Sequence, residues 1–411
     1  MQFRSALTLG RRGAHVVAAG VLIASAAFAV IFLRPVILQA RGHYLAFNDF
    51  FAQWSFAVFA HLRDPVGLYD YGGRHRFQLA LEPNLRQFFP YPYPPTYLFA
   101  IWPLGWLPFG AAQLVWDLAG LALFLWAVFG RDLRTTLLPF VVLAPATVIA
   151  LAYGQNGLLI SGLIVGGLRV MRTRPMLGGV LLGLATIKPQ LGILIPVALI
   201  AARQWRVLGA AACAAIGLAG LSVLAFGVAM WPAWLETVSG HAGWLAAAVN
   251  DYRKPTVLAT LSLLGAPAAV ARGVQAGVTA GVIAVIWFCF RRGVSDLSIA
   301  AVESGTFLAM PFVFHYDLPM LTNAVLLLVR DGGKSRRVPG LVETGIVVLA
   351  LLFPALTSVT TRFFYVNSVA LIAVFGLSVW RKMKSYDRES RSYDPTDVVS
   401  SSCGDGAGRD P

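Results

Sequence analysis

Asp49, Gln155, Lys188, His241, Asp251, Arg253, Lys254, His315, Asp317 and Arg362 stand beside or between strongly apolar stretches. Carboxylates and histidines so placed can take a proton from a hydroxyl, and the cations can hold an oxyanion such as a phosphate. Ionisable groups in or next to apolar spans are costly, which makes each a functional candidate. Simpler roles compete with that reading. Asp49 follows Asn48 and precedes the run FFAQWSFAVFAHL, where it can cap a helix. Lys188 can snorkel to a membrane interface. Asp317 can cap a helix over 318–330, and His315 can be a satisfied buried histidine, since no second ligand lies at metal spacing. Asp117 and Glu303, within apolar stretches, can pair with polar neighbours. The Y-P-Y-P-P run at 91–95 reads as a rigid turn.

The elements that carry these residues are those of a membrane protein. Of 411 residues, 57% are hydrophobic and 13% charged, with mean hydropathy +0.69. Soluble domains carry roughly 45–50% apolar and about 25% charged residues. The net charge of +14 does not mark a nucleic-acid binder, because Lys and Arg fall in short clusters between apolar stretches. Cys213, Cys289 and Cys403 form neither a disulfide framework nor a metal-ligand spacing. The first apolar stretch, 14–33, follows Arg11 and Arg12 and is long enough to span, so it reads as an uncleaved signal anchor.

Placing the basic clusters on the cytoplasmic side demands an even number of crossings between neighbouring clusters. The expectation is an all-α polytopic membrane protein of about 12 transmembrane helices with both termini cytoplasmic. Residues 1–384 form the multi-spanning domain, with a long first outer loop at about 34–109 and a second at 230–272. Residues 176–202 begin and end on basic clusters and must break at Lys188-Pro189. An apolar piece at 94–106, too short to span, reads as a helix at the interface. The polar tail 385–411 reads as disordered. This topology, built only from basic clusters, gathers the candidate residues on one outer face. Trp231, Trp234 and Trp244 read as membrane anchors or sugar-stacking rings.

Several stretches, in order, resemble glycosyltransferase family 87, polyprenyl-phosphate-mannose-dependent mannosyltransferases of the GT-C superfamily. They are N-D-F at 48–50, D-P-V-G-L-Y-D at 64–70, Y-P-Y-P-P-T at 91–96 and P-L-G-W-L-P at 103–108. G-Q-N-G at 154–157, G-G-V-L-L-G-L-A-T-I-K-P-Q at 178–190 and P-F-V-F-H-Y-D-L at 311–318 complete the set. The resemblance implies a GT-C-like fold with its active site on the periplasmic or extracellular face of a cell inner membrane. It implies transfer of a hexose, mannose in this family, from a polyprenyl-phosphate donor to a lipid or glycan acceptor. Asp49 matches the family's first-loop base and His315 its late H-Y-D histidine. Lys188 is the first choice for the leaving phosphate and Arg362 the second, with Gln155, Asp317 and Tyr93 completing the substrate contacts. Phe50 and Phe51 follow Asp49 where GT-C relatives often carry a second acid, which favours a metal-free scheme with no cofactor. The competing expectation is a transporter or flippase of a lipid-linked or polar solute, for which the broken 176–202 hairpin speaks.

Overall fold

The computed structural model describes residues 11–39, 49–85, 88–133, 135–240, 253–334, 340–359 and 365–391. Among these every regular element is helical, and no β-strand occurs. Six helices are long and apolar enough to cross a membrane: Arg12–Arg34, Phe109–Phe129, Trp205–Phe226, Ala268–Arg291, Leu341–Ser358 and Val366–Arg388. Several leave apolar side chains uncovered; Leu224 is 84% exposed and Ile216 72% exposed on helix Trp205–Phe226. An apolar helix face left open over its length is stable when its solvent is hydrocarbon. This is the architecture of a polytopic helical membrane protein.

The remaining helices are shorter than the charge pattern suggests. Residues 135–152, expected as one span, form two pieces, Leu138–Val142 and Pro145–Tyr153. Pro145 causes the break: the residue before a proline is driven from helical to extended backbone, and Ala144 has ψ of 131°. Helix Gly157–Val170 has 14 residues and so rises about 21 Å, short of a roughly 30 Å hydrocarbon core. Residues 176–202 do break at Lys188. Helix Pro175–Leu184 passes into the tight turns Ala185–Ile187 and Pro189–Gly192 before helix Leu194–Ala201 resumes. The count of twelve crossings therefore rests on the charge pattern, with six helices of full spanning length among the described residues. The interfacial piece at 94–106 is a string of short turns, Pro95–Tyr97, Leu98–Ile101 and Trp102–Trp106, interrupted by Pro103. It packs on helix Phe50–Leu62.

Two close helix pairs set the frame. Helix Phe109–Phe129 lies on Gly157–Val170, and Trp205–Phe226 lies on Pro175–Leu184. In the second pair small residues let the backbones meet, as in other membrane helix contacts. A Cβ on Gly183 would stand 2.5 Å from the Ala211 carbonyl oxygen and 2.7 Å from the Ala214 Cβ. A Cβ on Gly179 would stand 2.6 Å from the Ala210 Cβ. This pair fixes one arm of the hairpin whose break presents Lys188. On the other side, Asp296–Ala309 packs against Ala268–Arg291, Pro319–Lys334 and Val366–Arg391. Glu303 is buried there, and both its oxygens accept from Asn323 Nδ2, at 2.9 and 3.0 Å. Its sequence expectation, pairing with a polar neighbour, is met.

Gly183→Val is expected to lower stability by about 1–3 kcal/mol through overpacking. Gly217→Ala, on the Trp205–Phe226 helix with nothing near its added Cβ, should be neutral or stabilising by up to about 1 kcal/mol. Thermal unfolding of both variants in detergent checks the pair.

Candidate active site

Asp49 occupies the N-cap position of helix Phe50–Leu62, yet its side chain makes no capping bond. Its Oδ2 instead accepts from Gln155 Nε2 at 2.9 Å. The side chain of Asp49 therefore does not cap this helix. Gln155 is presented by a sharp turn between helices. Gly154 ends helix Pro145–Tyr153 in the left-handed conformation, φ 59°, which glycine adopts without strain. Asn156 stands before Gly157–Val170 but does not cap it, and its amide turns inward. Gly157 is required by contact: an added Cβ would fall on the Tyr316 carbonyl. The G-Q-N-G turn and the H-Y-D turn thus sit against each other.

Lys188 lies between the two tight turns, with φ −137° and ψ 74° ahead of Pro189. It is 5% exposed. Its ammonium donates to Asp317 Oδ1 at 2.5 Å and to Asn156 Oδ1 at 2.9 Å. It is therefore held in the interior and does not snorkel. The other oxygen of Asp317 accepts from the Phe314 backbone N–H at 3.2 Å, so this carboxylate closes its own turn rather than capping the next helix.

A continuous hydrogen-bonded chain joins this pair to Asp49. Asn156 Nδ2 donates to Tyr97 Oη at 3.1 Å, and Tyr97 Oη donates to Gln53 Oε1 at 2.7 Å. Gln53 Nε2 donates to Gln155 Oε1 at 3.3 Å, and Gln155 reaches Asp49. Burial pushes the hydroxyl of Tyr97 well above the usual phenol range, so it keeps the proton it donates. Tyr93 stacks on Tyr97 at 4.0 Å between ring centroids. Its hydroxyl is likewise shifted up, chiefly by burial.

The first outer loop is braced by its own motif. In D-P-V-G-L-Y-D, Asp64 accepts from the Val66 N–H, and Asp70 accepts from the N–H groups of Gly72 and Gly73. Tyr69 Oη donates to the Tyr93 carbonyl at 2.8 Å. Arg74 donates to the Leu68 carbonyl; burial lowers its pKa to about 10, which leaves it cationic near neutrality. Trp234 donates to the Pro92 carbonyl at 3.2 Å, tying the second loop to the same Y-P-Y-P-P run. Trp231 donates to Ser222, and neither ring lines the cavity described next.

That cavity measures about 280 Å³, just below the roughly 300–1,000 Å³ typical of small-molecule pockets. Five of the residues expected from sequence line it: Asp49, Tyr93, Gln155, Lys188 and Asp317. His315 does not. It is 2% exposed, its backbone N–H donates to the Arg253 carbonyl at 2.9 Å, and its Nδ1 lies 3.3 Å from the same oxygen. Its place is beneath the wall, beside the edge of Tyr153. Arg362 lies outside the described residues, as do His241, Trp244 and Asp251. Gln53, Gln190, Arg253 and Lys254 also line the cavity. Gln53 had one sequence signal, a polar residue one helical turn beyond Asp49 in an apolar run. Arg253 and Lys254 are among the ionisable residues that stand beside apolar stretches in the sequence. Among the described residues no three His, Cys, Asp or Glu side chains gather as a metal site. A larger cavity, about 600 Å³, lies among Ala18, Val141, Val325 and Val347, and its walls are mainly apolar.

The sequence model of glycosyltransferase family 87 matches residues 91–315, more than half of the chain. The chain belongs to glycosyltransferase family 87. The match takes in Y-P-Y-P-P-T, G-Q-N-G and the stretch through Lys188-Pro189-Gln190. Asp49 and the D-P-V-G-L-Y-D brace precede the matched span, and Asp317 follows it. No curated protein and no solved structure matches the chain. Family membership makes the chain a glycosyltransferase, which needs a sugar donor and an acceptor.

Removing one partner of a buried ion pair costs about 3–5 kcal/mol, while neutralising both is far cheaper. Lys188→Met in this glycosyltransferase should therefore lower thermal stability sharply, and Lys188→Met with Asp317→Asn should recover part of the loss. A double variant no more stable than Lys188→Met would show that the pair does not hold the site together.

Proposed function

We propose that the 280 Å³ cavity is where a hexose, mannose by family resemblance, passes from a polyprenyl-phosphate donor to a hydroxyl of a lipid or glycan acceptor. The reading places the reaction at the non-cytoplasmic face of a cell inner membrane, with both termini on the other side. The observation that carries it is the carboxylate of Asp49 at the cavity wall, held by Gln155 rather than spent on its helix.

In this scheme the acceptor oxygen attacks the anomeric carbon as its proton passes to Asp49. The bond from that carbon to the phosphate oxygen breaks, and the electron pair leaves with polyprenyl phosphate. A single displacement inverts the anomeric configuration. General-base help of this kind contributes about 10²–10⁴-fold. The Gln155 amide orients the base and favours its ionised form, because a donor bonded to a carboxylate stabilises the charge. Tyr93 offers a ring and Gln155 an amide for the sugar. The developing charge on the phosphate calls for a cation at the same cavity. The scheme uses no metal.

Purified wild type and Asp49→Asn, supplied with polyprenyl-phosphate mannose, candidate acceptors and EDTA, test the scheme. The wild type is expected to transfer the sugar with inversion and the variant to be slower by at least 100-fold. Equal turnover would discard Asp49 as the base, and a retained anomeric configuration would discard the single displacement.

A further inference from the structure

The links between Asn156 and Asp49 are side chains shut away from solvent: Tyr97 and Asn156 are 0% exposed and Gln53 is 1% exposed. Gln53 lines the cavity, whereas Tyr97 and Asn156 lie behind its wall. A primary amide fits its site almost equally well turned end for end, so its partners decide which end faces which way. The Tyr97 hydroxyl accepts from Asn156 Nδ2, and its own proton goes to Gln53 Oε1. Burial keeps that proton on the phenol. The Tyr93 hydroxyl also hydrogen-bonds Gln53 and Asn156, with its ring stacked on that of Tyr97. With its oxygen so engaged, Gln53 turns Nε2 to Gln155 Oε1, and Gln155 turns Nε2 to Asp49 Oδ2. Were Gln53 reversed, its oxygen would call for the Gln155 nitrogen. Gln155 would then present its own oxygen to the carboxylate, and two acceptors facing each other repel.

We propose that Tyr97 and Gln53 are positioning residues for the transfer reaction, holding Gln155 with its N–H toward Asp49 so that the base is aimed at the cavity. Tyr97 does this from behind the wall, without meeting substrate. The inference rests on the reading of Asp49 as the base. It gives the Y-P-Y-P-P-T run, which leads directly into Tyr97, a part in turnover beyond that of a rigid turn.

The test is single-turnover sugar transfer from polyprenyl-phosphate mannose by the purified full chain, with donor binding measured beside the rate. Tyr97→Phe removes one buried oxygen. Gln53→Glu keeps the shape of the amide and its bond to Tyr97, but sets an acceptor where Gln155 needs a donor. A hydrogen bond to a charged group contributes about 10–100-fold when the transition state needs it, and Gln155→Leu and Gln53→Glu should slow transfer by that order. Tyr97→Phe, which only frees the orientation, should slow it about 3–10-fold and leave donor binding unchanged. Combined with Gln155→Leu, neither Tyr97→Phe nor Gln53→Glu should cost anything further, because the route to the base is already cut. A wild-type rate in Tyr97→Phe would overturn the proposal, as would a loss seen only as weaker donor binding. So would losses that add to that of Gln155→Leu, which is what a merely structural role predicts. Asp49→Asn separates the inference from the reading beneath it. If that variant turns over as fast as wild type, the base falls; if it is slow while Tyr97→Phe is fast, the base stands and the positioning role falls.

Discussion

Lys188 and Asp317 meet at 2.5 Å with side chains 6% and 2% exposed, in a protein whose surroundings offer little water. Charges so buried are tolerated only when each is paired and its remaining hydrogen-bonding capacity is met. Asp317 satisfies this through the Phe314 N–H, and Lys188 through Asn156. Each of these partners lies on a turn rather than inside a helix. The three turns can converge only because their sequences permit it: Gly154 reverses the chain, Gly157 admits the Tyr316 carbonyl, and Pro189 breaks the hairpin at Lys188. The pair is thus the node at which three helix breaks are joined.

The outer loop depends on the same node. Tyr97 takes its hydrogen bond from Asn156, and Tyr93 stacks on Tyr97. The backbone of Tyr93 is in turn fixed by Tyr69, and that of Pro92 by Trp234. Two loops and three turns are so tied into one polar interior beneath a cavity of about 280 Å³. Such irregular backbone is stable near membrane depth only where it is buried in protein or lines a cavity. Here it does both.

The parts of this arrangement that the sequence made legible are those that announce themselves by charge or by backbone chemistry. Lys188, Asp317 and Asp49 stood out because charge in an apolar setting is costly. G-Q-N-G and K-P-Q stood out because Gly and Pro punctuate helices. Tyr97 carried no such mark, and the signals at Gln53 and Asn156 did not reveal their partners, since neutral amides and phenols are common and those partners lie dozens of residues away. His315 stood out by its motif, and its ring lies beside Tyr153 with Nδ1 3.3 Å from the Arg253 carbonyl oxygen. The span count rests on the charge pattern, and six helices among the described residues have full spanning length. Apolar stretches such as 135–152 looked continuous until Pro145 and the extended residue before it divided them.

What the charged ends impose on the chain between them explains why those neutral residues are needed. An ammonium can only donate and an ionised carboxylate can only accept. Between Lys188 and Asp49 stand four groups, Asn156, Tyr97, Gln53 and Gln155, each using one acceptor and one donor along the path. With Lys188 donating at one end and the Tyr97 hydroxyl donating onward to Gln53, each amide presents its oxygen toward the lysine side and its nitrogen toward Asp49. The orientation of Gln155 is then continuous with that of a cation four links away, and its N–H points at the carboxylate. A hydrogen-bond chain polarised in one direction strengthens along its length. An isolated glutamine could turn either atom toward Asp49, and presenting its oxygen would destabilise the charge. The buried pair therefore does more than join the turns: it favours the arrangement in which the Gln155 N–H points at Asp49 at the edge of the cavity.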